Sequence, residues 1–370
     1  MPKMRCPDIS ELPAPPPSKK GWPWTLGDQN MPNRILEKGD WPSISIVTPS
    51  FNQAEYLEET IRSVLLQGYT NLEYFIMDGG STDKSKEIIN RYNPWITAWV
   101  SEKDQGQSHA INKGFRRASG EWLGWLNSDD CLAPQGLFRM LYSAQASDTN
   151  FVFGSSVQFD PEGSSLPLPL RRSPELMAFT PQQIRIVDLI EQPASLWTRE
   201  LFDRCGLLRE DMHYAFDWEF YIRASNIARP ALCPDVVAAY RFHTGHKTGF
   251  GGQVRLNEII RVYLDYLPSE YRERFVRALP VISLLSAFSL SAQNRNRWLR
   301  YFNRGTLYLI NKSGLLSLFG FPDGIWVMLS IARAYGRFRD VDLTNARFEY
   351  GKKPISNVDE ALAQFPPSPI

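Results

Sequence analysis

The chain has 370 residues, 43% hydrophobic and 22% charged, a balance that excludes wholesale disorder and allows two domains or one large domain with appendages. Lys+Arg 41 against Asp+Glu 40 leaves a net charge of +1, so no global field draws the chain to nucleic acid. Cys6, Cys131, Cys205 and Cys233 form no CxxC pair; neither a zinc ribbon nor a disulfide framework is expected, and a reducing, cytoplasmic compartment is.

In chain order, residues 1–42 hold nine of the 27 prolines together with Trp22, Trp24 and Trp41. Proline at that density blocks helices and ladders, and the tryptophans predict an extended arm packed along the body. No apolar signal core follows the first Met, so no secretory leader is expected. From Ser43 the pattern alternates. Ile44-Ser45-Ile46-Val47 reads as a strand, and Leu57, Ile61, Val64 and Leu65 share one helical face. Tyr74-Phe75-Ile76-Met77 is a second strand, Ile88, Ile89 and Tyr92 mark a second helix, and Ala98-Trp99-Val100 is a third strand. Ala110, Ile111 and Phe115 mark a third helix before a fourth apolar run at 122–126. Strand alternating with helix predicts βαβ units, an α/β fold with a mostly parallel sheet, and a site beyond the carboxyl ends of the strands. Residues 161–169 read as an exposed loop, the region from 251 to 351 as helical, and 352–370 as a loose tail. No apolar run is long enough for a membrane span.

Four constellations carry polar chemistry. Asn127-Ser128-Asp129-Asp130 follows the fourth strand, where buried carboxylates need a cation or donors; the oxygen set suits Mg²⁺ or Mn²⁺, and an Asx turn is the plain alternative. Asp78-Gly79-Gly80-Ser81-Thr82-Asp83 follows the second strand and is neither a P-loop nor GxGxxG. Asp217 and Glu219, flanked by aromatics, are candidates for a general base if desolvated, and an amphipathic helix with solvated acids if not. Arg241-Phe242-His243-Thr244-Gly245-His246-Lys247 suits a diphosphate-and-metal site or a solvated basic loop.

Taken in order, Thr48-Pro49-Ser50-Phe51-Asn52, Met77 to Asp83, Glu102-Lys103-Asp104-Gln105-Gly106, Asn112-Lys113-Gly114 and Gly120-Glu121-Trp122 with Leu126 to Asp130 resemble family 2 glycosyltransferases of the GT-A fold. The resemblance covers residues 43–250, with the N-terminal arm and the helical C-terminal extension outside it. It implies a Rossmann-like sheet, a nucleoside-diphosphate-sugar donor, UDP- or dTDP-linked, and an inverting transfer to a saccharide or lipid-linked acceptor in surface polysaccharide synthesis. It implies Asp78 at the nucleotide base, and Thr48, Pro49, Phe51 and Asp104 around the nucleotide. It puts the DxD motif on Asn127, Ser128 and Asp129, with Asp129 as the ligand of Mn²⁺ or Mg²⁺ and His243 completing the metal shell. Asn127 departs from the family's first acid. Asp217 matches the catalytic base, with Glu219 in reserve and Phe216 replacing the usual preceding acid. Arg241 or Lys247 would add positive charge at the diphosphate.

A nucleotidyltransferase shares such a sheet but needs a basic Gly-rich loop after the first strand, which residues 48–53 lack. A degenerate nucleotide-sugar-binding module without catalysis is the non-enzymatic rival. Arginines among aromatics at 295–312 read either as an ordinary packed helix or as a peripheral contact with the inner membrane face.

Overall fold

The computed structural model describes residues 6–27, 41–161, 169–171, 180–243, 247, 251–291, 320, 325, 348–350, 357–364 and 367. In chain order it runs β1 (Ile44–Ser50), α1 (Leu57–Leu65), β2 (Leu72–Asp78), α2 (Ser85–Arg91), β3 (Ala98–Ser101), α3 (Gln107–Phe115), β4 (Trp122–Trp125), β5 (Cys131–Leu132), α4 (Gly136–Ala146) and β6 (Phe151–Phe159). Then follow β7 (Pro169–Arg171), α5 (Pro181–Ile186), β8 (Ser195–Thr198), α6 (Arg199–Cys205), α7 (Phe216–Ser225), β9 (Ala231–Arg241), α8 (Gly252–Tyr266), α9 (Ser269–Ser291), β10 (Phe348–Tyr350) and α10 (Val358–Ala363).

Eight strands form one sheet in the order β3-β2-β1-β4-β8-β6-β9-β5, and β7 pairs with β10 apart from it. The sheet is mixed. β1 to β4 pair in parallel, and β1 and β4 are buried along their whole length, as strands with helices on both faces must be. β8 then runs antiparallel to both β4 and β6, and β5 antiparallel to β9, each pairing strands far apart in the chain. Pro49 sits inside β1 without cost to the ladder, because β4 pairs only as far as Val47↔Trp125.

Side chains alternate across the sheet into two cores. Ile44, Ile46, Tyr74 and Ile76 face α1, α2, α4 and the arm. Val47, Phe75 and Met77 face α3, α5, α6, α7, α8 and α9. The boundary expected at residue 250 therefore falls inside one packed core. Of the expected 1–42 arm, the described part lies along the body, with Trp22 and Trp24 buried and Trp41 edge-on to Phe138 at 4.6 Å. The tail was expected to be loose from 352, but α10 is docked: Asn357 caps it, Val358 and Ala361 are buried, and Asp359 accepts the Trp22 N–H at 3.0 Å. Of the loop expected at 161–169, residues 162–168 lie outside the described residues, as does the arginine-rich segment at 295–312, while Pro169 begins β7. No helix among the described residues is long and apolar enough to cross a membrane.

Candidate active site

The chain leaves β1 toward β2 and β3 on one side and returns to β4 on the other, so a crevice opens between the carboxyl ends of β1 and β4. Two loops lock at its rim. Asn52, in the left-handed region at φ 52°, accepts the Thr82 N–H at 2.8 Å, and its own N–H goes to Ser81 Oγ at 2.8 Å. Asp78 is fully buried beneath them and takes Ser81 N (2.9 Å), Ser81 Oγ (2.5 Å) and Ser101 Oγ (2.6 Å). Its oxygens are spent on shaping the loop. Thr48 is likewise buried against the Tyr74 hydroxyl at 3.0 Å.

A cavity of about 680 Å³ lies beyond this edge. Pro49, Phe51, Asp104, Asn127, Ser128, Asp129 and Asp217 line it; Thr48, Asp78, Arg241 and His243 do not. Phe51 is 60% exposed at the rim beside Asp104, with only the bare Gly79 backbone between them: a Cβ there would come within 2.7 Å of Asp104 Oδ2.

The centre is the loop after β4. Asn127 accepts from Gln107 Nε2 at 2.6 Å and donates to Asp130 Oδ2 at 3.3 Å. Asp130 is buried and faces inward, accepting the Arg241 N–H at 3.0 Å. Burial and the adjacent Asp129 charge push its carboxyl well above the usual carboxylate range, against the pull of Arg241. Asp129 faces the cavity, and its Oδ2 lies 3.1 Å from His243 Nε2. His243 is buried, with its ring 4.6 Å from that of Tyr56. One carboxylate oxygen and one imidazole nitrogen suit Mg²⁺ or Mn²⁺ when phosphate and water supply the remaining ligands. No group of three or more His, Cys, Asp or Glu side chains among the described residues could hold an ion by itself.

Arg241 was expected beside a diphosphate and is instead only 2% exposed. Its guanidinium lies between the rings of Tyr56 (4.7 Å) and Phe159 (4.5 Å), because β9 pairs Arg241 with Phe159 and aims its side chain beneath the loop. Lys247 reaches the cavity: its Nζ donates to Gln107 Oε1 at 2.8 Å and lies 5.5 Å from the ring centres of Tyr214 and Phe216. Desolvation pulls its ammonium down to about 8, against the opposing pull of Asp217, Glu258 and Asp104.

Asp217 opens α7 at the cavity wall. Three N–H groups ahead of that helix, from His213 (2.8 Å), Tyr214 (2.7 Å) and Ala215 (3.0 Å), converge on Glu258 of α8 and fix where it starts. Burial raises the Asp217 carboxyl above the ordinary range, while the Trp218 N–H and the charges of Lys247 and Arg255 pull the other way. Glu219 is buried on another face. It takes Arg223 Nη2 at 2.8 Å and the Tyr266 hydroxyl at 2.5 Å, away from the cavity lining. Glu219 is therefore not solvated as a plain amphipathic helix would have it, and Asp217 is half-buried at the cavity.

The far wall holds residues that no motif announces: Gln158 of β6, Asp188, Glu191 and Gln192 before β8, Tyr240 near the end of β9, and Arg255 of α8. Their sequence surroundings carry no Gly-rich or DxD signal, and only the sheet order brings them together.

Residues 45–203 match the model of glycosyl transferase family 2, and the sheet has the GT-A fold. An uncharacterized glycosyltransferase of Mycobacterium tuberculosis is 27% identical over 234 residues, 60% of this chain and 86% of the relative. A provisionally named teichuronic acid biosynthesis glycosyltransferase, TuaG of Bacillus subtilis, is 37% identical over 92 residues, 24% of this chain and 36% of TuaG. Residues 1–349 of S. aureus TarS in complex with UDP-GlcNAc superpose with a TM-score of 0.51 at 16% identity, covering 84% of this chain and 98% of that one. The mannosyltransferase PcManGT of Pyrobaculum calidifontis, in complex with GDP-Man and Mn²⁺, gives 0.52 at 18% identity, covering 79% of this chain and 86% of that one. The two structures share the fold with this chain.

Proposed function

We propose that the chain is an inverting, divalent-metal-dependent hexosyltransferase that moves a sugar from a UDP- or dTDP-linked donor to a saccharide or lipid-linked saccharide in surface polysaccharide synthesis. The observation that carries this reading is that Asp129, backed by His243, and Asp217 line one cavity at the strand ends. The nucleotide sugars of both structural neighbours and the Mn²⁺ of one support the donor class and the ion, and TuaG's name supports the pathway class. In this reading Pro49, Phe51, Asp104, Asn127, Ser128 and Asp129 contact the donor, while Thr48, Asp78 and Arg241 hold those residues from behind.

Asp129 and His243 would hold the ion, which when bound neutralises charge on the diphosphate leaving group. Asp217 accepts the acceptor hydroxyl's proton as that oxygen bonds to the anomeric carbon and the bond to the diphosphate breaks. Its raised affinity for protons, from burial, suits a base that works near neutral pH. One carboxylate acting once gives inversion, whereas retention needs a nucleophile as well. Lys247, still largely protonated at neutral pH, adds positive charge on the same wall. NMR of the first-formed product tests this reading: an α-linked donor is expected to give a β-linked product, and an α-linked product would overturn the single-base mechanism.

A further inference from the structure

The N-terminal arm reaches the Asp129 loop through a buried relay. Trp24 Nε1 donates to Glu59 Oε1 at 2.8 Å, and Glu59 Oε2 accepts Arg241 Nη2 at 2.6 Å. Arg241 Nε in turn donates to the main-chain oxygen of Asp129 at 2.8 Å. Trp24, Glu59 and Arg241 are 4%, 6% and 2% exposed, so water cannot substitute for any of these partners. Tyr56 shares its ring between the Arg241 guanidinium and His243, and Thr60 Oγ1 donates to Asp130 O at 2.7 Å, so α1 braces the same loop twice more.

We propose that the arm is a positioning element of the active site, with Trp24 holding Glu59, Glu59 holding Arg241, and Arg241 fixing the Asp129 main chain so that its carboxylate meets His243 at the cavity. The inference rests on the reading of Asp129 and His243 as the ion's ligands. Its physical basis is competition for a cation. A desolvated guanidinium beside Asp129 and Asp130 would pair with a carboxylate if nothing else held it, and an ion pair with Asp129 would occupy the group that the divalent ion needs. Glu59 supplies the alternative anion and leaves Arg241 Nε aimed at a neutral carbonyl. The Trp24 N–H occupies the other Glu59 oxygen and keeps that carboxylate from turning. A tryptophan that merely covered apolar surface would act through its ring and not through its N–H.

Trp24→Phe keeps an aromatic ring, smaller than the indole, and removes the donor; Glu59→Gln keeps the shape and removes the charge. Mn²⁺ alone, titrated into the full chain and followed by EPR of the free ion, reads the site without any sugar present, and melting temperatures are recorded on the same samples. Outer partners of metal ligands typically change affinity about 10–100-fold. Trp24→Phe and Glu59→Gln are expected to weaken Mn²⁺ binding about 10-fold or more while the folded chain still melts cooperatively, and Asp129→Asn to abolish it. Parent-like Mn²⁺ affinity in both relay variants, with binding lost in Asp129→Asn, overturns the relay and leaves the site reading intact. Parent-like affinity in Asp129→Asn, or no Mn²⁺ binding by the parent chain, overturns the site reading and the relay with it.

Discussion

Asp217 and Glu219 are two residues apart on α7, and the turn of the helix separates them: one faces the cavity, the other is spent on Arg223 and Tyr266. Their variants should fail differently. Asp217→Asn is expected to lose about 10²–10⁴-fold in kcat with donor binding kept, since it removes only a proton acceptor. Glu219→Gln is expected to keep the chemistry and lose about 2 kcal/mol of stability, because its charged hydrogen bonds weaken. Denaturant unfolding and donor turnover on the two variants separate these outcomes, and full turnover by Asp217→Asn would move the base elsewhere. The pH profile carries the same signature. Asp217 must be unprotonated to act, so kcat/KM should rise as pH climbs through its elevated pKa. Lys247 loses its charge near 8, so a fall above that pH is expected if its ammonium stabilises the leaving group. A rate independent of pH across the carboxylate range would contradict the base.

At the scale of elements, the Asn112-Lys113-Gly114 motif turns out to be scaffolding. Gly114 lets α3 lie on β1, where an added Cβ would sit 2.4 Å from Val47 Cγ1. Gly114→Ala is therefore expected to cost about 1–3 kcal/mol by overpacking, measured by denaturant unfolding; an unchanged midpoint would mean the helix can shift freely. Asn112 holds both the N–H (3.0 Å) and the carbonyl (2.9 Å) of Leu208 in the segment that leads to α7, and so reaches the site from a distance. The first half of the sheet was legible in the sequence because β1 and β2 carry short β-branched and apolar stretches at 44–47 and 74–77 and α1 shows a clean helical period. The loops at their ends were legible as motifs. Which way a motif's side chain points was not. Asp78 and Arg241 are chemically apt for a ligand, but the packing of Ser81, Ser101, Tyr56 and Phe159 around them turns both inward. The antiparallel return of β8 and the wall of Asp188 and Glu191 left no local signal, since pairing between strands distant in the chain creates them.

For the whole molecule, the arm clasps the outer face of α1, and α10 in turn holds the arm through Asp359. Arg62 is fully buried and donates to Pro23 O (3.0 Å), Pro13 O (2.9 Å), Trp24 O (2.9 Å) and the Tyr92 hydroxyl (3.1 Å). Arg62→Ala strands three arm carbonyls at once, and at about 1–3 kcal/mol for each unsatisfied group it is expected to lose at least about 3 kcal/mol; proteolysis should then enter the arm first. An arm cleaved no faster than in the parent would show that other contacts suffice. The central claim is that a divalent ion and a nucleoside diphosphate meet at Asp129 in the crevice between β1 and β4. The most direct measurement is a thermal-shift panel of UDP, GDP, dTDP and CMP, each with and without Mn²⁺, on the parent chain and on Asp129→Asn. Binding to the native state alone raises the melting temperature, by about 2.7 kcal/mol of stabilisation at a ligand concentration 100 times Kd. A rise with UDP or dTDP that needs Mn²⁺ and vanishes in Asp129→Asn is the predicted result; no rise with any nucleotide, or one that survives in Asp129→Asn, would contradict it.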